Sequence, residues 1–468
     1  MAEARKSKTG TAPEVVEPAS ESGQADTVCD ATDLLERHYP SLKCVGEDWY
    51  LPKGGVYRLQ NTNLVRPVAL SVLSRENHSD YMAQAVMRTL ESRKQVPPES
   101  ILGFARFLDA ERSVVQICCQ NGVLRVSADD LVLEPHNIRW SFGRQVQARY
   151  DEKATCQRFQ KLVREALPDR EDRELFWSYC AYTLYPACDL QTFLVAYGPG
   201  GTSKSTVFEA VASALGEENV TRLGFAELCG DGPGYSLPSL QRSALNLGAE
   251  APQGEVQESD RLKILVEGGE LPVRPIYGKP RPLRGYHTKI VLLGNCQPRF
   301  KSGTSAELRR LRILCFGNEH KKTDPLLDVK LARQASGIFS RGLVPGLQTL
   351  LRSRRIPAGG PNSRRVFRQY AIVHDPHRVF VEQCCDLGPE LQEPKLKLLG
   401  AWRAFVEREH LREALRDQHW FFRVLYDRYP QIQSRRLCGE ENRLYVVQGI
   451  GLRPDVEVEP DILSDHDR

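Results

Sequence analysis

The stretch FLVAYGPGGTSKSTVFEAVASALG, residues 193 to 216, restricts the fold more than any other part of the chain. An apolar run enters a glycine-rich turn. A lysine and two hydroxyls then open a segment in which Val207, Phe208, Val211, Ala214 and Leu215 share one helical face. A strand that turns directly into a helix gathers the unpaired N–H groups of the helix start at the turn, where they can hold an anion. The phosphate-loop pattern G-x-x-x-x-G-K-[ST] is nearly met. Counted from Gly198, with Gly200, Gly201 and Thr202 inside the loop, Ser203 stands where the last glycine belongs, directly before Lys204, Ser205 and Thr206. Serine keeps the N–H that would contact a phosphate. Where the position requires φ > 0, its Cβ costs about 1 to 2 kcal/mol.

Such a loop needs partners on neighbouring strands: a carboxylate to share Mg²⁺ with the loop hydroxyl and a polar group to orient water. The runs SALNLGAE, KIVLLGN and LRILCFGN lack strict alternation and fit buried parallel strands, so the expected fold is an α/β core. The first run ends on Glu250, a lone acid because Ala249 precedes it, and the second leads to Asn295. Arg309 and Arg310 stand just before the third run and Arg312 within it. An arginine presented to a neighbouring subunit's nucleotide stabilises the charge of a transferring phosphoryl group.

At 468 residues the chain exceeds one compact core. Residues 1–27 read as a disordered tail and 28–150 as an α+β module, with strand-like DWYLP, GVYRL, SVVQICC, GVLRV and LVLEP around one helical stretch, residues 80 to 95. The core is expected over 151–345. A basic linker follows at 346–370, with six arginines and no acid between 352 and 368. Residues 371–456 hold three helical segments and a strand-like end, the layout of a winged helix, and 457–468 form a tail. No run reaches the ~18 apolar residues of a membrane span. Thirteen scattered cysteines without a CxxC pair point to reduced thiols in the cytoplasm and to no zinc site. The net charge of +4 is no global signature of a nucleic-acid binder, so local patches must carry any such contact.

In their order and spacing, GPGGTSKST, GAEAPQGE, RLKILVEGGELPVRPIYGKPRPLRGYHTKIVLLGNCQPRF and SAELRRLRILCF resemble the superfamily 3 helicases, in particular the phage, plasmid and poxvirus type primase-helicases. ICCQNGVLRV through QKLVREAL is similar to the module preceding the helicase core in that family. FVEQCC, LLGAWRAFVE, FFRVLYDRY and GIGL resemble its C-terminal winged helix, so the likeness spans most of residues 30 to 455. The resemblance implies a P-loop (AAA+-like) parallel-sheet ATPase that uses ATP and Mg²⁺ and unwinds DNA as a ring during replication of a phage, prophage or plasmid-like element. Lys204, Ser205 and Thr206 would be the Walker A contacts, Glu250 the Walker B acid sharing Mg²⁺ with Ser205, Asn295 the sensor, and Arg309 and Arg310 the arginine fingers. Lys279, Arg281 and Arg284 would lie on a hairpin that follows single-stranded DNA through a hexamer. The implied partners are single-stranded and forked DNA, further copies of the chain and a separate primase.

Two departures stand out. Family loops usually read Asn-Gly before the lysine, where this chain has Thr202 and Ser203. The first 30 residues cannot hold a primase domain and residues 31 to 150 show no clustered carboxylates, so primer synthesis is not expected. The alternative is a replication initiator or DNA-binding platform whose nucleotide site is a switch, or is inactive because of Ser203. A small-molecule P-loop kinase would leave Asn295, the arginines, the hairpin and the C-terminal module without a role.

Overall fold

The middle of the chain builds a five-stranded parallel sheet from β1 (Phe193–Tyr197), β2 (Val220–Thr221), β3 (Leu245–Ala249), β4 (Lys289–Gly294) and β5 (Leu311–Cys315). Their spatial order is β5-β1-β4-β3-β2. This computed structural model describes residues 25–458 apart from 47, 61, 98–100, 102, 231–233, 250–254, 257–259, 275–279, 296–298, 301–304, 320–323, 412–417 and 439–442. Alternate residues of β1 serve different cores: Leu194 and Ala196 join one hydrophobic cluster, Phe193 and Val195 another. A strand covered on both faces has no solvent side to mark with polar residues, which is why these runs read as continuously apolar. The strands expected from the apolar runs form as β1, β3, β4 and β5. The two residues of β2 are too few to leave a pattern.

On the first face lie the helices Gln157–Ala166, Arg170–Tyr182 and Val344–Ser353, together with α1 (Lys204–Leu215). The α1 residues Val207, Phe208, Val211, Ala214 and Leu215 are all buried there, and Phe208 meets Phe176 edge-on at 5.4 Å. Such an aromatic pair adds about 0.5–1.5 kcal/mol to simple burial.

The region before the sheet is two units. Residues 25–96 have a core of their own, including Ala31, Leu35, Trp49, Val72, Val86 and Leu90. It joins the antiparallel strands Lys43–Val45, Asp48–Lys53 and Val56–Gln60 to the helices Val28–His38, Thr62–Ser71 and Asp80–Lys94. The sequence signalled the last helix alone: Pro67 interrupts the second, and the first is rich in charge. The second unit, Ala105–Phe107, Val115–Cys119, Gly122–Val126 and Leu131–Glu134, is an antiparallel sheet whose Val115, Ile117, Leu124 and Val126 belong to the first core cluster.

Residues 346–370, read from sequence as a linker, are largely helical. Val344–Ser353 occupies the start, and α2 (Pro361–His374) begins after Gly359 and Gly360 with proline in its first turn. Ser363, Val366 and Tyr370 turn inward while Arg364, Arg365 and Arg368 face out, so the arginines mask an amphipathic helix. A buried joint fixes its start. The Asp172 carboxylate, 2% exposed, accepts from Gly360 N at 2.7 Å and Ser363 Oγ at 2.6 Å, while Ser363 Oγ accepts from Cys315 N at 2.9 Å.

The chain ends in α3 (Pro376–Cys384), β6 (Cys385–Pro394), α4 (Lys395–Arg408), α5 (Gln418–Arg428), β7 (Gln433–Cys438) and β8 (Arg443–Leu452). The antiparallel sheet runs β6-β8-β7. Phe380, Trp402, Phe405 and Phe421 fill the space below it and share a cluster with the second face of the parallel sheet. The strand β6 was not expected. Its register breaks between Leu387 and Gln392, around Gly388 and Pro389, so it carries no strand signal.

Candidate functional site

The carboxyl end of β1 is built by close approach. Gly198 N donates to Gly294 O at 3.2 Å, and Phe316 N to Tyr197 O at 2.7 Å, so the turn starts between its neighbours on both sides. A Cβ on Gly198 would lie 2.0 Å from the carbonyl oxygen of Phe316, and its φ is +154°. Only glycine fits there.

Five residues later Ser203 caps α1 at φ +63° and ψ +15°, the left-handed region. The loop therefore does demand a positive φ where the strict pattern has glycine, and serine bears the strain. The first residue of α1 is Lys204, 8% exposed. Its Nζ donates to the carbonyls of Gly198 and Pro199 at 2.6 Å each, and lies 3.3 Å from Thr202 Oγ1 and 3.2 Å from Asn295 Oδ1. Thr202 is itself buried and donates to Pro199 O at 2.9 Å. Ser205 is exposed and Thr206 half-buried in the first turn.

Lys204 and Asn295 are 91 residues apart in sequence and meet because β4 pairs with β1 in parallel, Gly294 beside Tyr197. The arrangement offers an ammonium, an amide and a helix start at the carboxyl end of the central strands, the position where open α/β sheets bind ligands. An exposed Ser205 hydroxyl is chemically suited to a hard cation such as Mg²⁺. Glu250, its expected companion, and Lys279 lie outside the described residues.

Arg309 and Arg310 lie at the other end of the sheet. Leu311 pairs with Phe193, so the helix Ser305–Arg310 ends at the amino edge of β1. Four residue steps, about 13 Å of strand, separate that edge from the turn. The two side chains part ways. Arg309 is 61% exposed, with Glu267 Oε1 at 3.8 Å, whereas Arg310 is 6% exposed and ion-paired to the same oxygen. Burial lowers the Arg310 pKa below the ordinary arginine value. Arg312 donates to Arg309 O and Leu311 O at 3.0 Å each. Neither the pairing with Glu267 nor the contact of Phe316 with Gly198 had a local signal; both join distant segments.

Around the segment expected to form the hairpin, Leu271–Val273 runs antiparallel to Arg281–Leu283. Arg281 is exposed opposite Val273, and Arg284 pairs with Glu270 at 2.9 Å at the base. Among the described residues no group of three or more His, Cys, Asp or Glu side chains could hold a metal, and no helix is long and apolar enough to cross a membrane.

The sequence matches no protein-family model and no curated protein. The fold is similar to a solved structure titled "The A form apo structure of NrS-1 C terminal region-CTR": TM-score 0.51 and 11% identity over 91% of this chain and 100% of that one. A second apo structure of the NrS-1 C-terminal region gives 0.48 at 11% identity, over 92% and 100% of the respective chains. The shared property is the fold, an α/β architecture extending over nearly the whole chain.

Proposed function

We propose that this chain is an ATP-dependent DNA helicase of the primase-helicase type, working in replication as a ring of identical subunits. The observation that carries the reading is the meeting of Lys204, the 198–203 turn and Asn295 at the end of β1. In this reading the N–H groups of the turn and Lys204 hold the β- and γ-phosphates of ATP, Ser205 and Glu250 share Mg²⁺, and Asn295 orients the attacking water. The ammonium exchanges its loop carbonyls for phosphate oxygens when nucleotide enters. Arg309, exposed and a sheet's length from its own turn, serves the adjacent subunit's nucleotide, while Arg310, committed to Glu267, positions the helix that carries it.

The hairpin with Lys279, Arg281 and Arg284 then follows single-stranded DNA. The C-terminal helix-strand-helix-helix-strand-strand order supports a winged-helix reading and with it a duplex-binding role. Its outer strand β7 presents Arg435 and Arg436, the latter 5.9 Å over the Tyr445 ring.

The test is ATP hydrolysis with and without single-stranded DNA, together with unwinding of a forked duplex, by wild type and Lys204→Ala. DNA-stimulated hydrolysis and unwinding, both lost in Lys204→Ala, are expected. Hydrolysis without unwinding would sink the helicase claim, and nucleotide-dependent assembly on DNA without hydrolysis would identify a platform with a switch site.

A further inference from the structure

The sequence assigned no residue to the part of a nucleotide that is not phosphate. An open surface cavity of about 660 Å³, its lining residues all exposed, lies between two segments, one contributing Arg164, Glu165 and Pro168, the other Gly317, Asn318 and Glu319. We propose that it holds the base and ribose of the nucleoside triphosphate whose phosphates sit on the 198–204 turn, a proposal that rests on the nucleotide reading above.

The second wall begins one residue after Phe316, whose carbonyl oxygen lies against Gly198, so this wall continues directly from the strand end that flanks the glycine turn. The first wall is the end of the helix Gln157–Ala166, which packs in the same core as α1. Asn318 Nδ2 donates to Glu165 O at 2.9 Å and ties the walls together.

The carboxylates of Glu165 and Glu319 against one guanidinium, Arg164, give the lining no excess of positive charge, so it suits the uncharged part of a nucleotide and not its phosphates. Pro168 and Arg164 offer flat faces for a base, and Arg164 is steadied by its Nε bond to Gln160 O at 3.1 Å. With its amide N–H engaged by Glu165 O, Asn318 keeps Oδ1 to accept from an exocyclic amino group, and the carboxylates can accept from ribose hydroxyls.

Gly317 makes the proposal testable: a Cβ built there meets no atom within 4 Å, so a larger side chain takes up cavity space before it disturbs the fold. Calorimetric titration of the full chain with ATP, GTP and inorganic tripolyphosphate, each with Mg²⁺, would be run on wild type, Gly317→Leu and Asn318→Ala. Wild type is expected to bind a nucleoside triphosphate at least about tenfold more tightly than tripolyphosphate. Gly317→Leu should erase that advantage while its tripolyphosphate affinity stays within about twofold of wild type. Asn318→Ala should narrow the difference between ATP and GTP, and it carries the test alone if thermal melting shows that Gly317→Leu does not fold. Tripolyphosphate binding with no nucleoside advantage, or an advantage that survives both substitutions, overturns the cavity and leaves the phosphate site standing. Binding of neither ligand by wild type overturns the nucleotide reading itself, and the cavity with it.

Discussion

Two buried lysines stand at opposite ends of the same parallel sheet. Lys204, at the carboxyl end, holds two carbonyls of its own turn; Lys289, the first residue of β4, holds those of Tyr185, at 3.0 Å, and His287. They are 8% and 2% exposed. Depth and partners therefore do not tell them apart. Their settings do. Lys204 opens a helix whose free N–H groups face the turn, beside the strand that the chain crosses in passing from β4 to β5. Lys289 lies 4.2 Å over the Tyr182 ring, and burial lowers its pKa to about 8. One ammonium sits at a helix start, where the proposed phosphate site needs it; the other is a structural strut.

The sharpest test exchanges the expectations for the two. Lys204→Ala should reduce ATP hydrolysis at least about 1,000-fold with little change in melting temperature, whereas Lys289→Met should leave turnover within about threefold. Equal loss of activity from both would erase the distinction.

The arginines at the amino end come next. Arg309→Ala should slow hydrolysis about 100-fold, and mixing it with Lys204→Ala subunits should restore part of the activity if Arg309 acts across a subunit boundary. Activity that stays absent in the mixture argues against a shared site. Arg310→Ala, which removes a buried guanidinium and leaves Glu267 with Arg309 at 3.8 Å, should appear first as lost stability in urea unfolding.

The strut predicts a pH effect. The folded pKa of Lys289 lies below its ordinary value of 10.5, so between about pH 8 and 10.5 the unfolded chain binds more protons and stability rises with pH. The rise is on the order of 3 kcal/mol across that window. The difference in unfolding free energy between wild type and Lys289→Met, measured at pH 8 and 10, should carry that slope; a flat difference would mean that the ammonium is not buried in solution. The smallest effect belongs to Ser203→Gly, which should relieve about 1 kcal/mol of left-handed strain and raise the melting temperature by a few degrees at most. A lower melting temperature would mean that the serine side chain is worth more than its strain.

The contrast also shows what the sequence could convey. The turn, α1 and the four longer strands were legible because each is written in consecutive residues: glycines at a bend, apolar runs, a helical face. The approach of Asn295 to Lys204 followed once parallel strands were assumed. Arg309 and Arg310 look equivalent in sequence, and Glu267 separates them through a contact 43 residues away. Helix α2 was hidden by exposed arginines, two of which reach Glu171 and Gln383 on neighbouring helices, and β6 by Gly388 and Pro389, where its register breaks. The cavity at Gly317 has no signature because its two walls come from segments about 150 residues apart in the chain.

The joint at Asp172 has a mechanical consequence. Swinging α2 away from the sheet would take the Gly360 N–H and the Ser363 hydroxyl from a carboxylate that has almost no access to water, at a cost of several kcal/mol. Torque on the C-terminal module is therefore not absorbed by a slack hinge. The path it would take runs through Ser363 to the backbone of Cys315, one residue from the carbonyl lodged against Gly198, so that the C-terminal module and the glycine turn are joined by a chain of direct contacts.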